Sequence, residues 1–139
     1  MSIKPIRVIV AVVAAGACGG WVFSSRSTAL AQPSLITRQV LLQRDVAIAG
    51  YEGVMIAQEI APGGREGKHT HPGMLYAYIR EGALTVEVAG KPPVTYKAGD
   101  TFYLDPGVVH EGMNNGTVPM KALATFISPK GKPLMNPAR

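Results

Sequence analysis

Between residues 53 and 127, apolar and polar side chains alternate over short runs that Gly, Pro and Asn separate. The clearest run is Ala83–Val88, in which Leu and Val occupy every second position. Because a period of two puts successive side chains on opposite faces of a β-strand, this run predicts a strand with one buried face. The same pattern and the same turn residues predict strands at Gly53–Ile60, Leu75–Arg80, Ala83–Val88, Val94–Tyr96, Thr101–Leu104, Val108–Met113 and Lys121–Ile127.

The order of these elements predicts an all-β domain. Seven or eight short strands, with no convincing helix after residue 31, are typical of a small antiparallel barrel or jelly roll. We place the barrel at residues 53–127. Residues 32–52 form an N-terminal segment with one apolar stretch, Leu35–Leu42, and residues 128–139 form a tail rich in Pro and Lys. We expect this tail to lie over the surface or to be disordered.

The first 31 residues have the pattern of a secretory leader. Lys4 and Arg7 precede the uncharged run Val8–Phe23, and the small residues of Ala29–Ala31 suit signal peptidase. The uncharged run is 16 residues long, which is short for a bilayer-spanning helix of about 20 residues. We therefore predict a signal peptide over residues 1–31, cleavage before Gln32, and a periplasmic or secreted product. An uncleaved leader, the chain's one expected link to a membrane, stays open as an alternative.

Loss of the leader would change the charge and the cysteine content. The chain has 14 basic and 9 acidic residues, and the leader holds three of the basic ones, which leaves 11 against 9, or +2. No basic stripe with interleaved aromatic residues remains, so a nucleic-acid partner is not expected. The single cysteine, Cys18, lies in the leader, where lipidation is a minor alternative. The exported domain would then have no disulfide and would depend on its core for stability.

The chain contains three histidines, and two of them are spaced to share one face of a strand. His69 and His71 stand at positions i and i+2, and His110 follows in a later predicted strand. A neutral imidazole is a good ligand for several transition metals. Three of them converging on one side of a barrel would hold a metal ion and leave positions open for water or substrate. The alternative is a metal-free structural barrel whose histidines are simply hydrogen-bonded or exposed.

Two motifs around these histidines resemble those of the cupin family. The first is a Gly, five residues, His-x-His and a later Gly, and it is matched at Gly63, His69, His71 and Gly82. The second is a Gly, a Pro-x-Gly turn, a His and an Asn, and it is matched at Gly99, Gly107, His110 and Asn114, although Asp105 replaces the Pro of the turn.

The resemblance covers about residues 53–127 and implies a small single-domain cupin. The implied fold is a double-stranded β-helix, or jelly-roll barrel. The implied cofactor is one divalent metal ion in the barrel mouth, held by His69, His71 and His110. Imidazole ligands do not distinguish Fe, Mn, Ni, Cu and Zn. Because cupins often pair through strand edges, a homodimer is possible.

This sequence departs from the cupin pattern because the Glu ligand of the first motif is missing. The motif allows two spacings, which put Leu75 or Tyr76 at its position. Tyr76 would offer a phenolic oxygen only if the strand were bulged by one residue. Three neutral imidazoles would otherwise leave the full +2 charge on the metal, which strengthens it as a Lewis acid.

These features favour a metal-dependent enzyme that acts on a small organic molecule, with a dioxygenase-like activity because some three-histidine cupins are dioxygenases. A non-catalytic, metal-dependent binding or sensing module is the alternative. We expect Leu75, Tyr76, Ala77 and Phe102 to line the substrate pocket and assign no catalytic residue. Glu111 is expected to be solvated, and Asn114 to fix a turn.

Overall fold

A computed structural model describes residues 34–138. All the regular secondary structure in these residues is β-strand. The predicted signal peptide, with Cys18, lies outside the described residues. Within residues 34–138 there is no helix of the length and apolar character needed to cross a membrane.

Ten strands form two five-stranded antiparallel sheets. They are β1 (Ile36–Asp45), β2 (Tyr51–Ile60), β3 (His69–Thr70), β4 (Met74–Glu81), β5 (Ala83–Val88), β6 (Val94–Lys97), β7 (Thr101–Leu104), β8 (His110–Met113), β9 (Met120–Pro129) and β10 (Asn136–Pro137). One sheet has the order β1-β2-β9-β4-β7 and the other the order β10-β3-β8-β5-β6. The predicted all-β jelly-roll class is confirmed.

The core lies between the two sheets because each long strand turns alternate side chains inward. In β9, every second residue from Met120 to Ser128 is buried. In β4, Leu75, Ala77 and Ile79 are buried, whereas the tyrosines between them are exposed. Burying a side chain such as Ile79 stabilises the fold by roughly 1.5–3 kcal/mol. The alternation read from the sequence therefore defines the inner face of the barrel.

Two terminal strands were not predicted. The N-terminal segment contains β1, which pairs with β2 along its length although its side chains are nearly all exposed. For the tail, the expectation of disorder is wrong, because β9 continues to Pro129 and β10 pairs with β3. Residues 130–138 are exposed or half-buried, which agrees with the alternative expectation of a segment that lies over the surface. Both segments are fixed by backbone hydrogen bonds to neighbouring strands of a sheet. Pairing of this kind does not require apolar and polar side chains to alternate, so the sequence pattern did not predict these strands.

Two of the predicted turn residues have a clear structural role. Gly82 has a φ of +70°, and a Cβ at this position would lie 2.6 Å from the carbonyl oxygen of Pro119. Asn114 is 1% exposed, and its amide donates hydrogen bonds to the carbonyls of Ile60 and Val118 at 2.8 and 2.9 Å. The expectation that Asn114 fixes a turn is confirmed.

Candidate metal centre

The three histidines come together at one end of the barrel. His69 in β3 lies opposite His110 in β8, and His71 follows directly after β3. The ring centroids of His69 and His110 are 4.2 Å apart, and His71 lies 4.8 and 4.9 Å from them. All three are at most 5% exposed. One nitrogen from each ring lies within 4.8 Å of the other two, so the cluster is compatible with binding a metal ion.

Backbone carbonyl groups fix the protonation of each ring. The Nδ1 atoms of His69, His71 and His110 donate hydrogen bonds to the carbonyls of Gly67, Leu134 and Val108 at 2.7, 2.6 and 2.9 Å. A carbonyl oxygen only accepts, so each neutral ring carries its proton on Nδ1. Each Nε2 then keeps its lone pair, as a metal ligand requires.

The environment of His71 and His110 also favours the neutral form of these two rings. Burial lowers the pKa of His71 to about 4, although the hydrogen bond to Leu134 acts in the opposite direction. Burial likewise lowers the pKa of His110. Since metal ions bind neutral imidazole and compete with protons for it, a lowered pKa favours ligation at neutral pH.

An ion pair ties the loop before His69 to the strand that carries His110. Arg65 donates from Nε and Nη2 to the two carboxylate oxygens of Glu111, at 3.0 Å each. The hydrogen bond from Arg65 lowers the pKa of Glu111, which is 6% exposed. The expectation that Glu111 is solvated is therefore wrong, because Arg65 folds back over β8 and covers the carboxylate.

An apolar cavity of about 190 Å³ adjoins the histidines, and His71 and His110 line it. Three of the predicted pocket residues, Leu75, Ala77 and Phe102, also line this cavity. The structure places Tyr76 on the opposite face of β4, where it is 50% exposed.

Tyr76 is therefore corrected both as a pocket residue and as a ligand. The pairing of β4 with β9 runs without a shift from Met74 to Ile79. There is accordingly no bulge at Tyr76 that would turn its phenol inward.

The sequence did not reveal three polar residues that line the cavity. Arg38 from β1, Gln58 from β2 and Glu66 from the loop before β3 meet there. Arg38 Nη2 and Gln58 Nε2 both donate to Oε1 of Glu66, at 2.6 and 2.5 Å. The only available signal was that Glu66 is close to His69 in sequence, and it did not show which way the side chain points.

The donor set fits a first-row divalent metal. Three neutral nitrogen ligands on adjacent elements, each with its second nitrogen hydrogen-bonded, are typical of sites for Zn, Cu, Ni or Fe. Asp105, the turn residue that departs from the cupin pattern, is exposed and accepts a hydrogen bond from the hydroxyl of Tyr103 at 2.5 Å. It has no part in the cluster.

Two antiparallel sheets around a three-histidine cluster define a class of β-barrel proteins with a candidate metal centre. A family model described as "Cupin domain" matches residues 57–126 of this chain. The chain therefore belongs to the cupin superfamily, which confirms the resemblance of the two motifs.

Similar proteins agree with this placement. A germin-like protein of Arabidopsis thaliana, subfamily 2 member 1, is 38% identical over 82 residues, which cover 55% of this chain and 37% of that protein. This chain thus spans little more than a third of that relative. A conserved Klebsiella pneumoniae protein with a double-stranded β-helix domain has a TM-score of 0.62 at 23% identity, covering 78% of this chain and 88% of that one. A recombinant oxalate oxidase in complex with glycolate has a TM-score of 0.60 at 23% identity, covering 77% and 57%.

Proposed function

We propose that this chain binds one divalent metal ion through His69, His71 and His110 and acts as a metal-dependent enzyme on a small organic molecule. The observation that carries the proposal is the convergence of three buried imidazoles beside an apolar cavity. Each has its Nδ1 hydrogen-bonded to a backbone carbonyl, and its Nε2 has no hydrogen-bond partner among residues 34–138. When bound, a divalent ion would act as a Lewis acid toward an oxygen ligand of the substrate.

The chain's own residues would do the rest of the work. The carbonyl groups of Gly67, Leu134 and Val108 orient the three rings. The apolar side chains of the cavity exclude water from the bound molecule, which strengthens electrostatic interactions there. Because the three ligands lie on one side, the side facing the cavity is available to substrate.

A dioxygenase-like reaction is the form of catalysis we favour, and its test is oxygen uptake. The full chain, loaded in turn with Fe, Mn, Ni, Cu or Zn, is offered β-diketones, catechols, flavonols and thiols. We expect oxygen consumption with one metal and one substrate group, and its loss in His110→Ala. No consumption with any combination would exclude this form of the proposal.

A non-catalytic binding module is the second candidate, and the polar residues of the cavity favour it. The carboxylate of Glu66 lines the cavity and accepts hydrogen bonds from Arg38 and Gln58. These three side chains hold one another in place, an arrangement suited to positioning a ligand. Such a module would show ligand-dependent thermal stabilisation with bound metal but no turnover. Turnover that depends on His110 would exclude it.

Export and pairing complete the proposal. We propose a periplasmic or secreted protein. N-terminal sequencing of the protein from its native compartment tests this proposal: an N-terminus at Gln32 would support it, and one at Met1 would contradict it.

We also propose a homodimer that forms along β1, an edge strand on which Val40, Leu41 and Leu42 are 48–57% exposed. Sedimentation velocity should give a dimer that Leu41→Lys weakens, and a monomer at all concentrations would contradict it.

A further inference from the structure

The carboxylate of Glu66 has one oxygen engaged and one oxygen free. Both of its side-chain donors, Arg38 and Gln58, reach Oε1. Among residues 34–138, no comparable donor is bonded to Oε2. The side chain is 11% exposed, and Oε2 is not among the buried polar atoms that lack a partner, so this oxygen is open to solvent and a ligand can reach it. A free acceptor that lines a cavity is therefore a candidate contact for a ligand.

Gly112 shows where this free oxygen lies. A Cβ at Gly112 would overlap Oε2 of Glu66, so the carboxylate oxygen occupies the place of a side chain at position 112. Positions 110 and 112 face the same side of β8 because they are two residues apart in a strand. The free oxygen therefore lies next to His110 along the inner face of the barrel. The backbone fixes this arrangement, since the amide of Glu66 donates to the carbonyl of Gly112 at 3.0 Å.

The size and lining of the cavity limit what it can hold. Its volume is about 190 Å³, and apart from the histidines and the group around Glu66 its side chains are apolar. Apolar cavities of roughly 150 Å³ hold a benzene molecule. The cavity therefore suits an apolar body the size of one ring, with polar groups at two places: beside His71 and His110, and beside Glu66.

We propose that Glu66 is a specificity-determining residue, whose Oε2 accepts a hydrogen bond from the ligand. The site would then select one-ring molecules that carry a metal-binding oxygen together with an O–H or N–H donor. Arg38 and Gln58 are positioning residues, because they hold Oε1 and so direct Oε2 into the cavity. This inference rests on the proposed metal centre and adds the ligand class that it accepts.

The test compares pairs of ligands that differ in one hydrogen-bond donor. Hydroquinone and resorcinol are titrated calorimetrically into the metal-loaded full chain, against 4-methoxyphenol and 3-methoxyphenol. In these ligands the second oxygen is too far from the first to chelate the same ion. For each pair of ligands that fits the cavity, we expect the diol to bind roughly 10- to 100-fold more tightly than its methoxyphenol. This is the effect of a hydrogen bond to a charged group.

Glu66→Gln should abolish or reverse this preference. The amide oxygen of Gln would still accept from Arg38 and Gln58, while its NH2 group would replace the free acceptor with a donor. Glu59→Gln is the matched control, because this substitution removes the same charge from an exposed position on β2. It should keep the preference of the unaltered protein.

A second variant changes the position of the carboxylate and keeps its charge. In Gly112→Ala, the added methyl group displaces Oε2, so we expect the preference for the diols to fall as it does in Glu66→Gln. Metal content is measured in every sample. If both variants bind the metal and keep the preference for the diols, this inference alone is overturned. Loss of the metal in Glu66→Gln would also overturn it alone, because Glu66 would then be a metal ligand. Absence of metal from the unaltered protein would overturn the proposed function and this inference together.

Discussion

Each imidazole of the candidate metal centre is oriented by a carbonyl group from a different part of the chain. Gly67 and Val108 lie two residues before His69 and His110, so these contacts are local. The contact of His71 with Leu134 joins positions 63 residues apart. Fixing the ring orientation in this way raises metal affinity, because little side-chain freedom is left to lose on binding.

The ion pair of Arg65 and Glu111 should stabilise the loop that carries His69. Glu111→Gln removes the charge from a buried carboxylate and leaves Arg65 without its partner, so we expect a lower midpoint of urea unfolding and weaker metal binding. Glu81→Gln is the control, because Glu81 pairs with Lys121 at 2.9 Å on an exposed surface. Exposed pairs contribute little, and equal effects of the two changes on the unfolding midpoint would contradict this role for Glu111.

Some residue positions could be predicted from the sequence and others could not. The i, i+2 spacing of His69 and His71 was informative because strand geometry alone puts them on one side. Glu66 lies in a Gly-rich loop, where no period relates sequence position to direction. Its contacts come from β1 and β2, which are distant in the chain.

At the scale of elements, the strands whose side chains alternate were predicted well, and so were the edge strands β6 and β7, whereas the terminal strands β1 and β10 were missed. The bounds of β5 and β7 agree with the prediction to the residue. In β1, by contrast, exposed apolar residues interrupt the alternation, and a bulge lies between Val40 and Leu42. The two-residue strand β10 contains a proline and depends on its partner β3. Neither pattern identifies a strand without its neighbour.

The tail that contains β10 should contribute directly to metal affinity. A chain that ends at Lys132 lacks the carbonyl of Leu134 that holds His71, and it lacks β10. We expect its metal affinity to fall by roughly 10- to 100-fold, the usual effect of losing such a partner of a ligand. Competition with a chromophoric chelator measures the affinity. Lys132→Ala in the full chain is the control, and equal affinities of the truncated chain and this control would contradict the role of the tail.

At the scale of the whole molecule, the lowered pKa values of His71 and His110 make stability depend on pH. The pKa of His71 is about 4 in the folded protein against an ordinary value of 6.5. Between these values the unfolded chain binds a proton that the folded chain does not, so the free energy of unfolding decreases as the pH falls. Above about pH 7 this dependence vanishes.

We therefore expect metal-free protein to lose on the order of 2–3 kcal/mol of stability from His71 between pH 6.5 and pH 4. Urea unfolding in the presence of a chelator at a series of pH values measures this change. His71→Gln should reduce the slope, with the remaining slope arising from His110 and the carboxylates. A free energy of unfolding that is constant or increases toward pH 4 would contradict the burial of neutral imidazole.

The most direct test of the metal centre is the metal content of the purified protein after equilibrium dialysis against a first-row divalent ion. We expect close to one ion per chain in the unaltered protein and almost none in His110→Ala, with both proteins folded by circular dichroism. Equal metal content in the two proteins, or none in either, would contradict the binding of a shared ion by the three histidines.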